Sequence, residues 1–271
     1  HRAARDERAR GCRGVERMSR TDATGLAVDY LLASRVGGPD AERLEQRLAT
    51  SDETELRASL PDDDARIAFW LDVYNAAVVR AGAVDLTDLR VRWSHFRRRS
   101  VVIAGQRLSL DAIENGLLRR SRWKLSLGYL GNPLPARFER THRVERLDPR
   151  IHFALNCGAS SCPPIAAYHR ERLDEELELA TRSYLQDAVR RDGEVVRVSP
   201  LFLWYIADFG GPRGLRAFLD AAGVEVGQLP LRLSTYDWSP APERWASDTD
   251  EGHRPRAGRP AEDDPVAAPK A

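Results

Sequence analysis

The sequence predicts an α+β fold, a single helix-rich domain packed on a small, mainly antiparallel sheet. Three observations carry this. Apolar residues recur at helical spacing through most of residues 18–245. Residues 67–79 are apolar almost all round, as a buried helix is. Only short runs near 101–108, 151–157, 195–198 and 231–236 have strand character, too little for a large sheet. A periodic stretch of this length fits one domain, since single domains extend to roughly 250 residues.

Each element follows from local signals. Residues 22–34 form a first amphipathic helix, with Leu26, Tyr30 and Leu31 on one face, and 40–48 and 51–60 form two shorter ones. Pro61-Asp-Asp-Asp64 starts the next helix, because proline suits the first turn and carboxylates suit the positive end of the dipole. That helix runs to about residue 83, and Asp72 and Asn75 interrupt its apolar run. Burying either without a partner costs roughly 1–3 kcal/mol, so both need hydrogen bonds, with neighbouring backbone the default partner. Residues 101–108 make a hairpin turning near Ala104-Gly105, and Ser109 caps a helix that reaches about residue 120 and carries Glu114 and Arg119. Residues 123–143 read as a long basic surface loop.

The second half reads as a strand over 151–157, a Gly/Ser turn, and a helix starting at Cys162-Pro163-Pro164. A long charged helix over 173–191 stops at Gly193. A strand at 195–198, an aromatic-rich stretch at 201–209, a helix at 215–222 and a strand at 231–236 follow. Residues 1–17, Arg-rich and without apolar periodicity, are expected to be a non-native or disordered leader ahead of Met18, the chain's single methionine. Residues 246–271 lack core residues and are expected to be a disordered tail.

Composition narrows the function classes. A net charge of +1 gives no global attraction for nucleic acid or anionic membrane. The basic residues are almost all arginine, densest at Arg90, Arg92, Arg97, Arg98 and Arg99 among Trp93, His95 and Phe96. Such a strip is either an anion-binding surface or a solvated edge whose long stems cover apolar area. No run approaches the roughly 20 apolar residues of a membrane span, and no charged-then-apolar start marks a secretory signal. Three cysteines make no disulfide framework, so the cytoplasm is the expected compartment.

The chemistry-bearing stretch is Arg150-Ile-His-Phe-Ala-Leu-Asn-Cys-Gly-Ala-Ser-Ser-Cys-Pro-Pro164. In a regular strand Cys157 shares a face with Ile151, Phe153 and Leu155, while His152 and Asn156 face the other way. The turn can return Cys162 to the His152 side. A cysteine at a helix mouth is stabilised as thiolate by the dipole and free N–H groups, and a nearby histidine completes a Cys–His pair of the acyl-transfer kind. Glu114, Asp208 and Asn75 are the candidates to orient the imidazole. Three readings compete. A metal site needs a fourth ligand beside His152, Cys157 and Cys162, and the Cys-x4-Cys spacing is unusual for one. A Cys157–Cys162 redox pair is geometrically possible, although the usual Cys-x-x-Cys signature is absent. Both cysteines and His152 can also be inert core residues.

Several segments together resemble the DUF547 family, a domain of unknown function found in bacteria, archaea and plants. They are Phe69-Trp-Leu-Asp-Val-Tyr-Asn-Ala76, Leu108-Ser-Leu-Asp-Ala-Ile-Glu-Asn115, Ile151-His-Phe-Ala-Leu-Asn-Cys-Gly-Ala-Ser-Ser-Cys-Pro163, Trp204-Tyr205 with Asp208-Phe209, and Tyr236-Asp-Trp238. The resemblance covers about residues 65–238. It implies that Asn75, Glu114, His152, Cys157, Cys162 and Asp208 matter, and it implies no activity. Asp72 stands where the family often has Asn, and Ser239-Pro240 replaces the usual Leu-Asn after Tyr-Asp-Trp.

The expected function is a thiol-dependent hydrolase or acyltransferase acting on a small molecule or peptide without a cofactor or metal. Cys162 is its nucleophile, His152 its base, and Glu114 or Asp208 the orienting acid, with Asn75, Cys157 and Asn156 in support. The alternative is a non-catalytic interaction module that binds a partner or anion through the 90–99 strip.

Overall fold

The computed structural model describes residues 22–241 together with 245 and 246. Helix α4 (Asp63–Ala81) is the axis of the first half, and its side chains from Ile67 to Ala76 are buried. The Asp62 carboxylate caps it by accepting the Ala65 N–H at 2.9 Å. Around it lie α1 (Ala23–Val36), α2 (Pro39–Ala49), α3 (Glu53–Ser59) and α5 (Leu89–Arg97). Trp70, Phe69 and Leu71 are fully buried against them, each contributing about 1.5–3 kcal/mol by leaving water.

The hairpin β1 (Val101–Ile103) and β2 (Gln106–Leu108) turns at Ala104-Gly105 as the sequence indicates. The helix after it is wider than expected. Residues Ala112–Leu118 form a π-helix, seen in the Arg119 N–H bonding Glu114 C=O at 2.8 Å and Ser121 N–H bonding Gly116 C=O at 2.8 Å. The extra residue per turn brings Glu114, Asn115 and Arg119 all inward. The expected loop over 123–143 contains α6 (Arg137–His142), which stacks Phe138 on His142.

The strand expected over 151–157 is not there. Pro149–Phe153 is a 3-10 helix capped by Asp148, whose carboxylate accepts the Arg150 N–H at 2.9 Å. The helix expected from Cys162 is also absent, and α7 (Leu173–Ala188) begins only after a 3-10 turn at Arg170–Arg172. Cys162 precedes one proline and Pro163 another, which pushes both residues away from helical backbone angles. Helix α7 ends at Ala188, not Arg191, because its last expected turn is a strand, β3 (Val189–Asp192). Gly193 is therefore a hairpin turn and not a helix cap. β3 pairs antiparallel with β4 (Val195–Val198), and β4 pairs parallel with β5 (Leu231–Leu233). Among the described residues the strands thus form two separate sheets instead of one. Helices α8 (Leu201–Trp204) and α9 (Gly211–Ala221) complete an α+β fold.

Two apolar clusters result. The first surrounds α1–α4; the second joins Tyr184, Leu185, β4, α8 and α9. The 3-10 helix lies on their seam. Ile151 and Ala154, three residues apart and so on one face, belong to the first cluster, and Phe153 belongs to the second. His152 is left between them. Among the described residues no helix is long and apolar enough to cross a membrane. The expected leader 1–17 and the tail beyond residue 246 lie outside the described residues.

Candidate functional site

Two asparagines shape the cysteine turn. From α4, Asn75 Nδ2 donates to Ala154 C=O at 3.0 Å and its Oδ1 accepts the Asn156 N–H at 3.0 Å. Asn156 Nδ2 donates to Pro163 C=O at 2.6 Å, and its Oδ1 accepts the Gly158 N–H at 2.7 Å. These side chains take the backbone groups that a neighbouring strand would have satisfied, and so hold 154–163 as a closed turn. Asn75 bonds remote backbone, not the neighbouring backbone expected of it. Residues 237–240 seal the outside, with Ser160 N–H on Ser239 C=O at 2.9 Å and Asp237 N–H on Ser161 Oγ at 2.9 Å.

The turn brings the cysteines together. Cys157 Sγ and Cys162 Sγ are 2.6 Å apart. The Cys162 sulfur also accepts the Cys157 N–H at 3.1 Å and lies 3.3 Å from the Tyr236 hydroxyl. Burial works to raise the Cys162 pKa, but the donors on its sulfur (Cys157 and Tyr236 side chains and the Cys157 N–H) prevail and lower it to about 7. Cys157 goes the other way, pushed up by its thiol hydrogen bond to Cys162 and by burial. One thiolate is thus shared by the pair and centred on Cys162, with Cys157 as its proton-bearing partner. No helix mouth contributes. A cleft of about 290 Å³ opens beside Cys162, lined by Ser160, Ser161, Ser199 and Tyr236 hydroxyls and by Tyr184 and Asp187.

His152 belongs to a different constellation. Its Nε2 is 2.9 Å from Asp208 Oδ2, so that nitrogen carries the proton that the carboxylate accepts. The same oxygen accepts Arg119 Nε–H at 2.6 Å, and Arg119 Nη1 donates to Asn115 Oδ1. The imidazole stacks on Tyr205 at 3.8 Å between centroids, and Tyr205 donates its hydroxyl to Glu114 Oε1 at 2.6 Å. Arg119 also lies over the Tyr205 ring. Burial lowers the His152 pKa more than the Asp208 hydrogen bond raises it, which keeps the ring neutral. Burial tends to raise the Asp208 pKa, but His152 and Arg119 bring it below the usual carboxylate value.

The sequence candidates therefore divide. Cys157, Cys162, Asn75 and Asn156 build the turn; His152, Asp208 and Glu114 build the buried polar seam. Of the three proposed orienting groups, Asp208 is the one His152 bonds. Among the described residues no hydrogen bond joins His152 to either sulfur, and no three His, Cys, Asp or Glu side chains cluster as metal ligands. Sequence reasoning passed over Tyr236, Tyr205 and Asn115, although each lies within a quoted motif, and it did not single out Arg119 as a buried cation.

Residues 58–185 match the family model described as a protein of unknown function, DUF547. The match begins before the stretch expected from the resemblance and ends before Tyr205, Asp208 and Tyr236. No curated protein and no solved structure matches the chain.

Proposed function

For a chain whose residues 58–185 match the model of the DUF547 family, a family without an assigned activity, we propose thiol–disulfide exchange, with Cys162 as nucleophile and Cys157 as resolving thiol. The observation that carries it is the direct contact of the two sulfurs on a turn where the Cys162 sulfur accepts the Cys157 N–H and lies beside the Tyr236 hydroxyl. The Cys162 thiolate attacks one sulfur of a substrate disulfide, and the departing thiolate leaves with the electron pair and takes a proton from solvent. Cys157 then gives up its proton and attacks the Cys162 sulfur. The mixed disulfide breaks, the second substrate thiol is released, and a Cys157–Cys162 disulfide remains. The protein is oxidised by two electrons and the substrate reduced by two.

Acyl transfer through the same Cys162 is the second reading, favoured by its position on a hydroxyl-lined cleft. Tyr236, and not His152, is then the proton-bearing neighbour, because His152 is committed to Asp208.

The test uses a Cys12→Ser background, so that only the paired thiols report. Iodoacetamide labelling should map to Cys162 with a midpoint near pH 7. A stoichiometric aromatic disulfide should release two equivalents of reagent thiolate and leave Cys157 joined to Cys162. Cys157→Ser should stop at the mixed disulfide. Labelling of an aryl ester acyl group on Cys162, with no internal disulfide formed, would favour the second reading. Thiols inert until the protein unfolds would sink both, and leave the pair structural as in an interaction module.

A further inference from the structure

Arg92 connects the 90–99 strip to the cysteines. It projects from α5, and its guanidinium carbon lies 3.7 Å over the Trp238 ring centroid. Trp238 stacks on Trp204 at 5.4 Å and packs against Tyr236 at 4.6 Å, and the Tyr236 hydroxyl is 3.3 Å from Cys162 Sγ. The cation is thus held rigidly one aromatic layer from the nucleophile.

Its polar atoms are poorly served. Among the described residues Arg92 Nε is buried without a hydrogen-bond partner, and Nη2 reaches the Thr87 carbonyl only at 3.5 Å. Some partly or fully buried arginines have a carboxylate, as Arg66 has Asp63, Arg119 has Asp208 and Arg150 has Asp148. Others have a hydroxyl or carbonyls at ordinary distance, as Arg143 has Ser121 and Arg216 has Gly227 and Leu229; Arg92 has only the long contact to Thr87. The groups whose charge bears on Arg92 are instead Cys157 and Tyr236, and burial is the main influence, lowering its pKa. A half-buried guanidinium that lacks a carboxylate keeps its desolvation cost until an anion docks, and its planar fork matches a carboxylate in particular.

We propose that Arg92, braced on Trp238, is an anion-recognition residue that selects carboxylate-bearing disulfides as substrates for Cys162 and Cys157. This rests on the thiol–disulfide reading of the same site. The Trp238 ring gives the guanidinium a fixed plane, so the substrate carboxylate is met by a preorganised donor pair while its disulfide reaches the sulfurs.

The experiment measures exchange rates of the reduced full-length protein, on the Cys12→Ser background, with three disulfides of similar size. They are 3,3′-dithiodipropionate (anionic), bis(2-hydroxyethyl) disulfide (neutral) and cystamine (cationic). The three leaving thiols differ intrinsically, so the readout is the change in rate ratio on substitution. Arg92→Gln should lower the anionic-to-neutral ratio about tenfold, the loss of one charge-assisted contact. Arg92→Lys should retain part of the ratio, and Arg92→Glu should turn the preference toward cystamine. An unchanged ratio in Arg92→Gln, or an equal slowing with all three disulfides, would overturn the proposal and leave Arg92 a brace for Trp238. No exchange with any disulfide in the wild type would overturn the thiol–disulfide reading itself.

Discussion

His152 Nε2 and Asp208 Oδ2 are 2.9 Å apart, and both side chains are sealed from solvent. The pair sits on the seam between the two apolar clusters, with Arg119 of the first cluster's π-helix segment as its third member. Asp208 therefore neutralises a buried cation and fixes the histidine at one stroke. Asp208→Ala should cost about 3–5 kcal/mol in urea-induced unfolding, because it leaves the Arg119 charge buried and unpaired. The double variant Asp208→Ala/Arg119→Met should recover part of that loss, since removing both charges is cheaper than removing one.

The same seam predicts an acid limb in stability. His152 is neutral in the folded protein with a pKa below its ordinary value, so the unfolded chain binds a proton first as pH falls. Stability conferred by the neutral ring is complete above about pH 6.5 and declines below it, by up to about 1.4 kcal/mol per pH unit, until the folded pKa is reached. The wild type should lose this component progressively as pH falls below about 6.5, and His152→Asn should lose less over the same descent. The Cys162 alkylation midpoint in His152→Asn should stay near 7, because the groups that lower it are Cys157 and Tyr236. A midpoint that climbed to the ordinary thiol value would restore the Cys–His pairing.

The helical part of the fold was legible because it is local. The apolar wrap of 67–79, the acidic helix start over 61–64 and the Ala104-Gly105 turn are read from spacing and residue type alone. The 151–157 segment was misread because its apolar residues fit a strand equally well. What decides is Asn75, some 80 residues earlier, which takes the Ala154 carbonyl and the Asn156 N–H. No short-range signal carries that. The helix expected at Cys162 failed for a reason visible in the sequence: Cys162 and Pro163 each precede a proline, and this constraint outweighs the preference of proline for a first turn.

The site was legible in its residues and only in part in its pairings, since Asp208 stood among the candidates to orient His152. His152, Asp208, Cys157 and Cys162 were all singled out, but the alternation argument that set His152 and Cys157 on opposite faces assumed a strand. In the closed turn the relevant partner of Cys162 is Cys157, five residues away, a spacing discounted for lacking the usual redox motif. Arg119 was noted on its helix but not read as buried, because in a regular α-helix nothing requires it to face inward; the π-turn, marked by the Arg119 N–H on Glu114 C=O, supplies the rotation.

Gly128 tests how tightly the buried seam is covered. It has φ +86°, and a Cβ there would lie 2.5 Å from Asp208 Oδ1, 2.9 Å from Arg119 Nη2 and 3.3 Å from Ala207 Cβ. Neither charged group can withdraw, since each is fixed by the other through Oδ2 and Nε. Gly128→Ala should cost about 1–2 kcal/mol for the left-handed backbone and about 1–3 kcal/mol more for the overlap. Gly105→Ala is the matched control: its φ is +73° and a Cβ there meets nothing within 4 Å, so it should show the backbone cost alone. Equal losses in the two variants would mean that the seam yields without resistance.

Asp72 carries the opposite pH dependence. It is fully enclosed in α4, where its Oδ1 accepts the Tyr168 N–H at 3.1 Å and its Oδ2 has no partner. Burial raises its pKa well above the ordinary carboxyl value, with the Glu176 charge adding to the rise and the Tyr168 N–H opposing it. The folded protein therefore holds a neutral acid, a near-isostere of the asparagine that the family resemblance leads one to expect. Sign follows from linkage: the unfolded chain releases this proton near its ordinary pKa of about 3.9, and the folded one only at higher pH. Stability is then complete below about pH 4 and falls as pH rises, by up to about 1.4 kcal/mol per unit until the folded pKa is reached. Asp72→Asn removes that slope. Urea unfolding over a pH series rising from about 4 should show the variant gaining on the wild type as pH increases, until the folded pKa is passed. A constant difference across the series would mean that Asp72 is ionised in the fold, and that α4 tolerates a buried charge that its neighbours give no visible means of balancing.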